Sequence, residues 1–392
     1  MDTGRANTAT CRKGNLRVKM CSWCPIARLA VAIFVGLAIS LPSRVGAAAT
    51  APLSVRQLAP DFKVVQVSKD VYAFVSGNTT HLVQDGNTTV IVTSEGVVVV
   101  DAPSTYLSRR HLAEIRRITK QPVRYLINTH WHADHVFGNH VYKAAFPGVK
   151  IVANNYTARI SDTRNPAILA NFYKGKRAKD MLRDLKTQAE KGVDEEGRPL
   201  TNTYDRERAQ RSYQEFVPAY EAELQGKYAA PDLTFDGEMV IKLGGKKIVV
   251  KTMVGHSKSD TIVYLPDERL VVTGDLLIAP VPYGINPFFD DWIETLDQLI
   301  AMPVDAYVPG HGDVEYSRTY LHLLRNLLAS LMKQAEEAAR RGMTLEEFKR
   351  ALDLKEFEAK LVGKDPELKW GWDNYFMDGA PERAFAISKG DM

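Results

Sequence analysis

Apolar and polar positions alternate in short runs behind a leader that has no alternation. Residues 29–41 are apolar almost throughout, whereas four runs from residue 62 onward, at 62–67, 71–75, 90–93 and 97–100, are rich in β-branched residues and broken by Gly and Asn. Such runs predict strands separated by turns. The period then lengthens: residues 107–118 carry an apolar stripe that predicts an amphipathic helix, followed by a buried strand at 123–127. A helix is expected to begin at Asp134 and a strand to span 149–153. Residues 155–230 are dense in Lys, Arg, Asp, Glu and Gln and predict two or so charged helices around a loop at 192–202. They form either an insertion that covers a site or a solvated helical pair. Strands return at 238–243, 246–252, 261–265 and 270–273, then a helix at 292–301, a strand at 306–308 and a largely helical stretch over 316–361. Strands, helices, strands and helices in that order predict an α+β chain with two sheets inside and helices outside.

The leader changes how composition is to be read. Arg5, Arg12, Lys13, Arg17, Lys19 and Arg28 precede the apolar run and small residues, Gly46 to Ala49, follow it. A basic segment, a short apolar segment and a small-residue cleavage site predict a secretory signal peptide over 1–49, hence a periplasmic or secreted protein. An uncleaved anchor is the alternative, although spanning a bilayer takes about 20 apolar residues. Met20 could be the true start. All three cysteines, Cys11, Cys21 and Cys24, lie in the leader, so the remaining chain has no disulfide and no thiolate ligand. The chain is net +4, but its first 47 residues hold seven Lys/Arg and one acid, which leaves the rest at about −2. That balance is not to be read as nucleic-acid binding; the partner expected is a small-molecule substrate, with no stable membrane insertion after cleavage. The expected organisation is a leader at 1–49, a catalytic domain at 50–315 and a helical extension at 316–392.

The strongest chemical signal is Asn128-Thr129-His130-Trp131-His132-Ala133-Asp134-His135, directly after a predicted strand. Loops at strand ends commonly carry sites, and imidazole with carboxylate is a natural ligand set for zinc and similar divalent metals. In an extended segment His130 and His132 point the same way, while Asp134 and His135 open the next helix and can face a second ion. His256 in Gly255-His256-Ser257-Lys258-Ser259-Asp260, Asp275 in Thr273-Gly274-Asp275 and His311 in Pro309-Gly310-His311-Gly312 stand in similar settings after strands. Each is weak alone; together and in this order they are specific.

This set, with Asp101 upstream in Val97 to Pro103, resembles the metallo-β-lactamase superfamily over roughly residues 62–315. The resemblance implies a four-layer αβ/βα sandwich with a helical insertion and a helical C-terminal tail. It implies a first metal held by His130, His132 and His256, and a second held by Asp134, His135 and His311. Asp275 would bridge them, as in the glyoxalase-II-like branch. Asp101 would stand behind a ligand and orient it, and Asp260 would be structural. Two Zn2+ are the implied cofactor, with another divalent metal as the alternative. The implied activity is hydrolysis of an amide, lactone, ester or thioester by a metal-bridging hydroxide, with Asp134 catalytic.

Four histidines remain outside the ligand set. His81 sits in a predicted loop that in this family often overhangs the site; His140, His111 and His322 fall on helices. With His81, the apolar segment from Ile278 to Phe289 could line a substrate pocket through Tyr283, Phe288 and Phe289, or its phenylalanines could simply pack the next helix. There is no Cys ligand, and Ile278 stands where the cysteine-ligand lactamases place a Lys, so β-lactamase activity is not implied. Two further readings are a mononuclear iron enzyme similar to persulfide dioxygenases and a non-catalytic binding protein that kept the fold. Trp370, Trp372 and Tyr375 suggest a buried anchor for the tail.

Overall fold

The computed structural model describes residues 62–77, 85–194 and 196–391. The expected signal peptide and His81 lie outside the described residues.

Two sheets face each other. In the first, β1 (Phe62–Ser68), β2 (Val71–Ser76), β3 (Thr88–Thr93) and β4 (Gly96–Val100) pair antiparallel in chain order. β5 (Val123–Ile127), β6 (Lys150–Asn154) and β7 (Leu233–Phe235) continue that sheet in parallel. The switch comes where α1 (Thr105–Ile118) crosses between β4 and β5, since parallel neighbours need a crossover. The second sheet runs β12 (Ala306–His311), β11 (Leu270–Ile278), β10 (Asp260–Leu265), β9 (Lys246–Met253) and β8 (Glu238–Leu243), with only β11 and β12 parallel. α7 (Phe289–Ala301) makes their crossover.

The pleat explains the layers. Along β4, Val98 and Val100 point into the core between the sheets, where they meet side chains such as Val263 and Val272. Val97 and Val99 point the other way, onto Ile115 of α1 and Tyr142 of α3 (Asn139–Ala145). A strand buried on both faces reads as a continuous apolar run, which Gly96–Val100 is. The outer face of the second sheet, with Ile262 and Val271, shares one core with α7 and α8 (Thr319–Arg340). The result is helix, sheet, sheet, helix.

The insertion has more pieces than its sequence suggests. α4 (Asn155–Ile168) runs into a π-helical turn, Leu169–Tyr173, before α5 (Lys176–Lys191) and α6 (Thr203–Glu223). The loop between α5 and α6 falls where the Gly and Asn residues place it, and α5 ends on Gly192 in the left-handed conformation. α5 and α6 meet through Ala178, Leu185, Phe216 and Tyr220. β7 has three residues and no legible alternation, so the pattern did not predict it.

The tail adds α9 (Leu345–Ala351), α10 (Lys355–Leu361), α11 (Pro366–Gly371), a π-helical turn Trp372–Met377 and α12 (Ala380–Ser388). α8 buries Leu321, Leu324, Leu328 and Leu331 along one face, the helical spacing that packing requires. Of the three aromatic residues expected to anchor the tail, Trp372 is buried, with Phe376 beside it, while Trp370 and Tyr375 are half-buried. Among the described residues no helix is long and apolar enough to cross a membrane.

Candidate metal centre

Seven polar side chains converge at one edge of the two sheets, and six of them follow, or end, a strand. β5 stops at Ile127 and delivers Thr129 to His132; the short helix α2 (Ala133–Val136) then presents Asp134 and His135. β9 stops at Met253 ahead of His256, and β12 ends on His311. Asp275 differs, lying within β11 where the register with β12 shifts at Gly274, whose φ is +53°. The chain comes very close there. A Cβ on Gly310 would lie 1.9 Å from Asp275 Oδ1, and one on Gly86 would lie 2.5 Å from the His135 ring, so both positions need glycine.

The seven divide into two sets, His130, His132, His256 and Asp275, and Asp134, His135, Asp275 and His311, in each of which the donor atoms lie within 4.8 Å of one another. Asp275 belongs to both, and its two oxygens face different ways. Oδ2 is 3.6 Å from His130 Nε2 and 3.5 Å from His256 Nε2. Oδ1 is 3.1 Å from His135 Nε2 and 3.6 Å from His311 Nε2. His132 Nδ1 lies 3.1 Å from His256 Nε2, and Asp134 Oδ2 lies 3.2 Å from His311 Nε2.

The electrostatics favour cations in both sets. Burial, reinforced by neighbouring imidazoles, pushes His130 well below its ordinary range, His132 to about 3 and His256 to about 4. These three rings are therefore neutral, with lone pairs to offer. In the second set burial is outweighed: Asp275 and Asp134 hold His135 well above its ordinary value and His311 at about 9. The same pairing holds Asp134 and Asp275 well below the usual carboxylate range despite burial. Buried His130 Nε2 and Asp275 Oδ1 lack a well-aligned hydrogen-bond partner, a condition buried polar atoms seldom keep. Imidazole nitrogens and carboxylate oxygens gathered this way fit a divalent metal in each set.

One carboxylate orients rings in both sets. Asp101, buried at a φ of +62°, accepts from Thr129 N and Thr129 Oγ1 at 2.7 Å each and from His135 Nδ1 at 2.8 Å. Thr129 Oγ1 in turn lies 3.1 Å from His130 Nδ1. With Thr129 donating to Asp101, its oxygen accepts from His130, and Nε2 of both histidines is left facing the metal positions. Thr129 was not singled out by its sequence. Its signal is a hydroxyl directly before a ligand histidine, which is too common to stand out. Thr129→Val keeps the shape and removes this link. Divalent-metal affinity is expected to fall about 10- to 100-fold, read by competition with a chromophoric chelator; an unchanged affinity would remove Thr129 from the site. Asp260 shapes the next loop, accepting from Ser257 N at 2.9 Å and Ser257 Oγ at 2.7 Å.

The remaining candidates separate. Tyr283 lies beside the first set, its ring 5.7 Å from His256 and 6.4 Å from His132. Phe288 is half-buried beneath the Arg383 guanidinium at 5.2 Å. Phe289 corrects the pocket expectation: it is fully buried in the core with Trp292 and Leu296, so packing claims its ring and none of it is left for a pocket. His111 is enclosed by Phe62 and Phe74, His322 is exposed on α8, and His140 Nε2 meets Thr105 Oγ1 at 2.9 Å.

Sequence reading also passed over Glu223. This fully buried carboxyl at the end of α6 accepts from Thr105 N and, at 2.9 Å, from Thr105 Oγ1, tying the insertion to the start of α1. Burial pushes it up to about 7, against those hydrogen bonds. The folded chain thus keeps a proton that the unfolded chain releases near its ordinary value of 4.5. Its stabilisation is complete below that value and is lost as pH rises through about 7. Glu223→Gln is expected to flatten this loss, of order 2–3 kcal/mol, in urea unfolding across a pH series. Equal slopes in the two proteins would exclude Glu223 as its source.

The family model of the metallo-beta-lactamase superfamily matches residues 82–311. A linear primary-alkylsulfatase from Pseudomonas sp. is 24% identical over 298 residues, 71% of this chain and 52% of the relative, so the chain spans about half the length of that curated protein. The solved structure of the stereoselective inverting sec-alkylsulfatase Pisa1 from Pseudomonas sp. aligns with a TM-score of 0.55 at 18% identity, over 84% of this chain and 50% of that one. A metallo-beta-lactamase from Pontibacter korlensis aligns with a TM-score of 0.49 at 20% identity, over 68% of this chain and 99% of that one. With the family model covering more than half of its length, the chain belongs to the metallo-beta-lactamase superfamily.

Proposed function

We propose that this chain is an exported, binuclear metal-dependent hydrolase whose substrate is an ester, with sulfate esters of alkyl alcohols as the leading class. The observation that carries the two-metal reading is Asp275, whose two oxygens each face a different set of imidazoles. Zinc suits both sets, since imidazole with carboxylate is its usual non-thiolate environment. Two such ions would supply Lewis-acid polarisation of the scissile group and a water acidified toward neutrality.

The chain's own residues do the rest. His130, His132 and His256 offer neutral nitrogens, and Asp101 with Thr129 fixes the rings of His130 and His135. Asp134 is the most accessible of the carboxylates in the two sets, with 21% of its side chain exposed against 4% for Asp275. It can therefore accept a hydrogen bond from the attacking water. Trp131 packs 4.3 Å from His132 and carries the exposed Arg164 guanidinium 4.9 Å from its ring centroid, a cation beside the site that suits an anionic ester. The alkylsulfatase relatives widen the carbonyl substrates expected from sequence to include sulfate esters. The leader at 1–49 supports export.

The test is elemental mass spectrometry on protein purified without added metal, with assays on decyl sulfate, a lactone, a thioester and a chromogenic cephalosporin. About two zincs per chain and release of sulfate are expected. A single iron with persulfide-dependent oxygen uptake would overturn the hydrolase reading, and two zincs with turnover of the lactone or thioester alone would overturn the sulfate ester.

A further inference from the structure

We propose that the C-terminal helices form one wall of the substrate entrance: Tyr283, Tyr375 and Trp370 make an aromatic strip that takes the apolar, non-reacting part of the substrate and sets chain-length preference. The inference rests on the hydrolase reading and adds which residues select the substrate.

The strip starts at the metal centre. Tyr283 is within 6.4 Å of both His132 and His256, measured between ring centroids. The next ring in contact is Tyr375, 6.2 Å from Tyr283, and then Trp370, 5.4 Å from Tyr375 and edge-on to it. All three residues are half-buried, unlike Trp372 and Phe376 in the core beneath. A polar group held among the imidazoles would leave its alkyl portion beside Tyr283, the first of three rings in contact.

The wall is fixed from both sides. Gly284 N donates to Tyr375 O at 2.8 Å, and Arg383 Nε donates to Pro287 O at 2.8 Å, so the tail holds the segment that carries Tyr283. At the outer end Arg208 of the insertion lies 4.1 Å over the Trp370 ring. Glu367 of α11 accepts from Tyr204 Oη at 2.7 Å and from Arg208 Nε at 3.1 Å, with Arg211 Nη2 at 3.5 Å. Two guanidinium groups meet this one carboxylate, which ties α6 of the insertion to α11 of the tail and holds Trp370 in place.

The experiment compares zinc-loaded wild type with Trp370→Ala, Tyr375→Ala and Tyr375→Phe. It uses a ladder of n-alkyl sulfates from butyl to decyl for turnover, and the matching n-alkyl sulfonates for binding by calorimetry. Wild-type kcat/KM and sulfonate affinity are expected to rise by up to about fourfold per methylene. Both alanine variants should flatten that rise, chiefly through KM, with butyl sulfate changed less than about twofold; Tyr375→Phe should retain it. A rise unchanged in the alanine variants, a loss equal at every length, or no rise in wild type would overturn the wall. Sulfonates that show the chain-length rise while no sulfate is turned over would leave the wall standing and overturn the sulfate-ester reading instead.

Discussion

Asp275→Ala is expected to lose metal from both sets at once and to lower kcat/KM by about 10³-fold or more. Among the described residues, Asp275 is the one whose oxygens face His130 and His256 on one side and His135 and His311 on the other. Without it the first set keeps three neutral imidazoles and no anion, and the second keeps Asp134 as its one anion beside His135 and His311. Ligand loss at either ion removes charge stabilisation worth several kcal/mol, which converts to that factor in rate. The fold should survive, because the sheet core and the helical layers do not pass through this carboxylate. The measurement is metal content by mass spectrometry beside far-ultraviolet circular dichroism. A folded variant that keeps both ions and full activity would refute the bridging assignment.

Trp292→Ala is expected to have the largest effect on stability, about 4–5 kcal/mol. The ring is fully buried in the core beneath the second sheet, and its Nε1 donates to Leu276 O at 3.1 Å. Removing it leaves a large cavity and an unsatisfied carbonyl, two penalties that add. A loss of this size is a large share of the 5–15 kcal/mol typical of a folded domain. The ring also supports the metal centre. It lies 6.0 Å from His256, and a Cβ on Gly255 would approach it to 2.7 Å. Urea unfolding gives the answer, with Trp292→Phe as a control that keeps most of the volume and loses the hydrogen bond. An alanine variant less than about 2 kcal/mol destabilised would mean that the surrounding leucines close over the gap.

Much of this architecture was legible because burial leaves a periodic trace. Gly96–Val100 is apolar on every position and is buried on both faces; α8 is apolar at helical spacing and is buried on one. The ligand candidates were legible for another reason: histidine is scarce in this chain, and six consecutive residues hold three of its nine. What escaped has no local signature. β11 continues to Ile278 past its predicted end because pairing with β12 resumes beyond Gly274, a relation between distant segments. Phe289 and Tyr283 are both aromatic within one apolar run, yet the start of α7 turns the first into the core while the second stays beside the imidazoles. Thr129 and Glu223 draw their importance from partners 28 and 118 residues away.

The placement of Asp275 has a consequence for how this enzyme can change over evolutionary time. The two donor sets meet at one carboxylate on a strand pressed against its neighbour, so the spacing of any ions they would hold is tied to that strand. Two of the three rings in the proposed wall, Tyr375 and Trp370, come from the tail, which joins the insertion through Glu367, Arg208 and Trp370. Apart from Tyr283, reaction and selection are therefore encoded in separate parts of the chain. Drift in the helices can re-aim the enzyme toward new molecules while the bond-breaking apparatus stays as it is, provided that insertion and tail drift together.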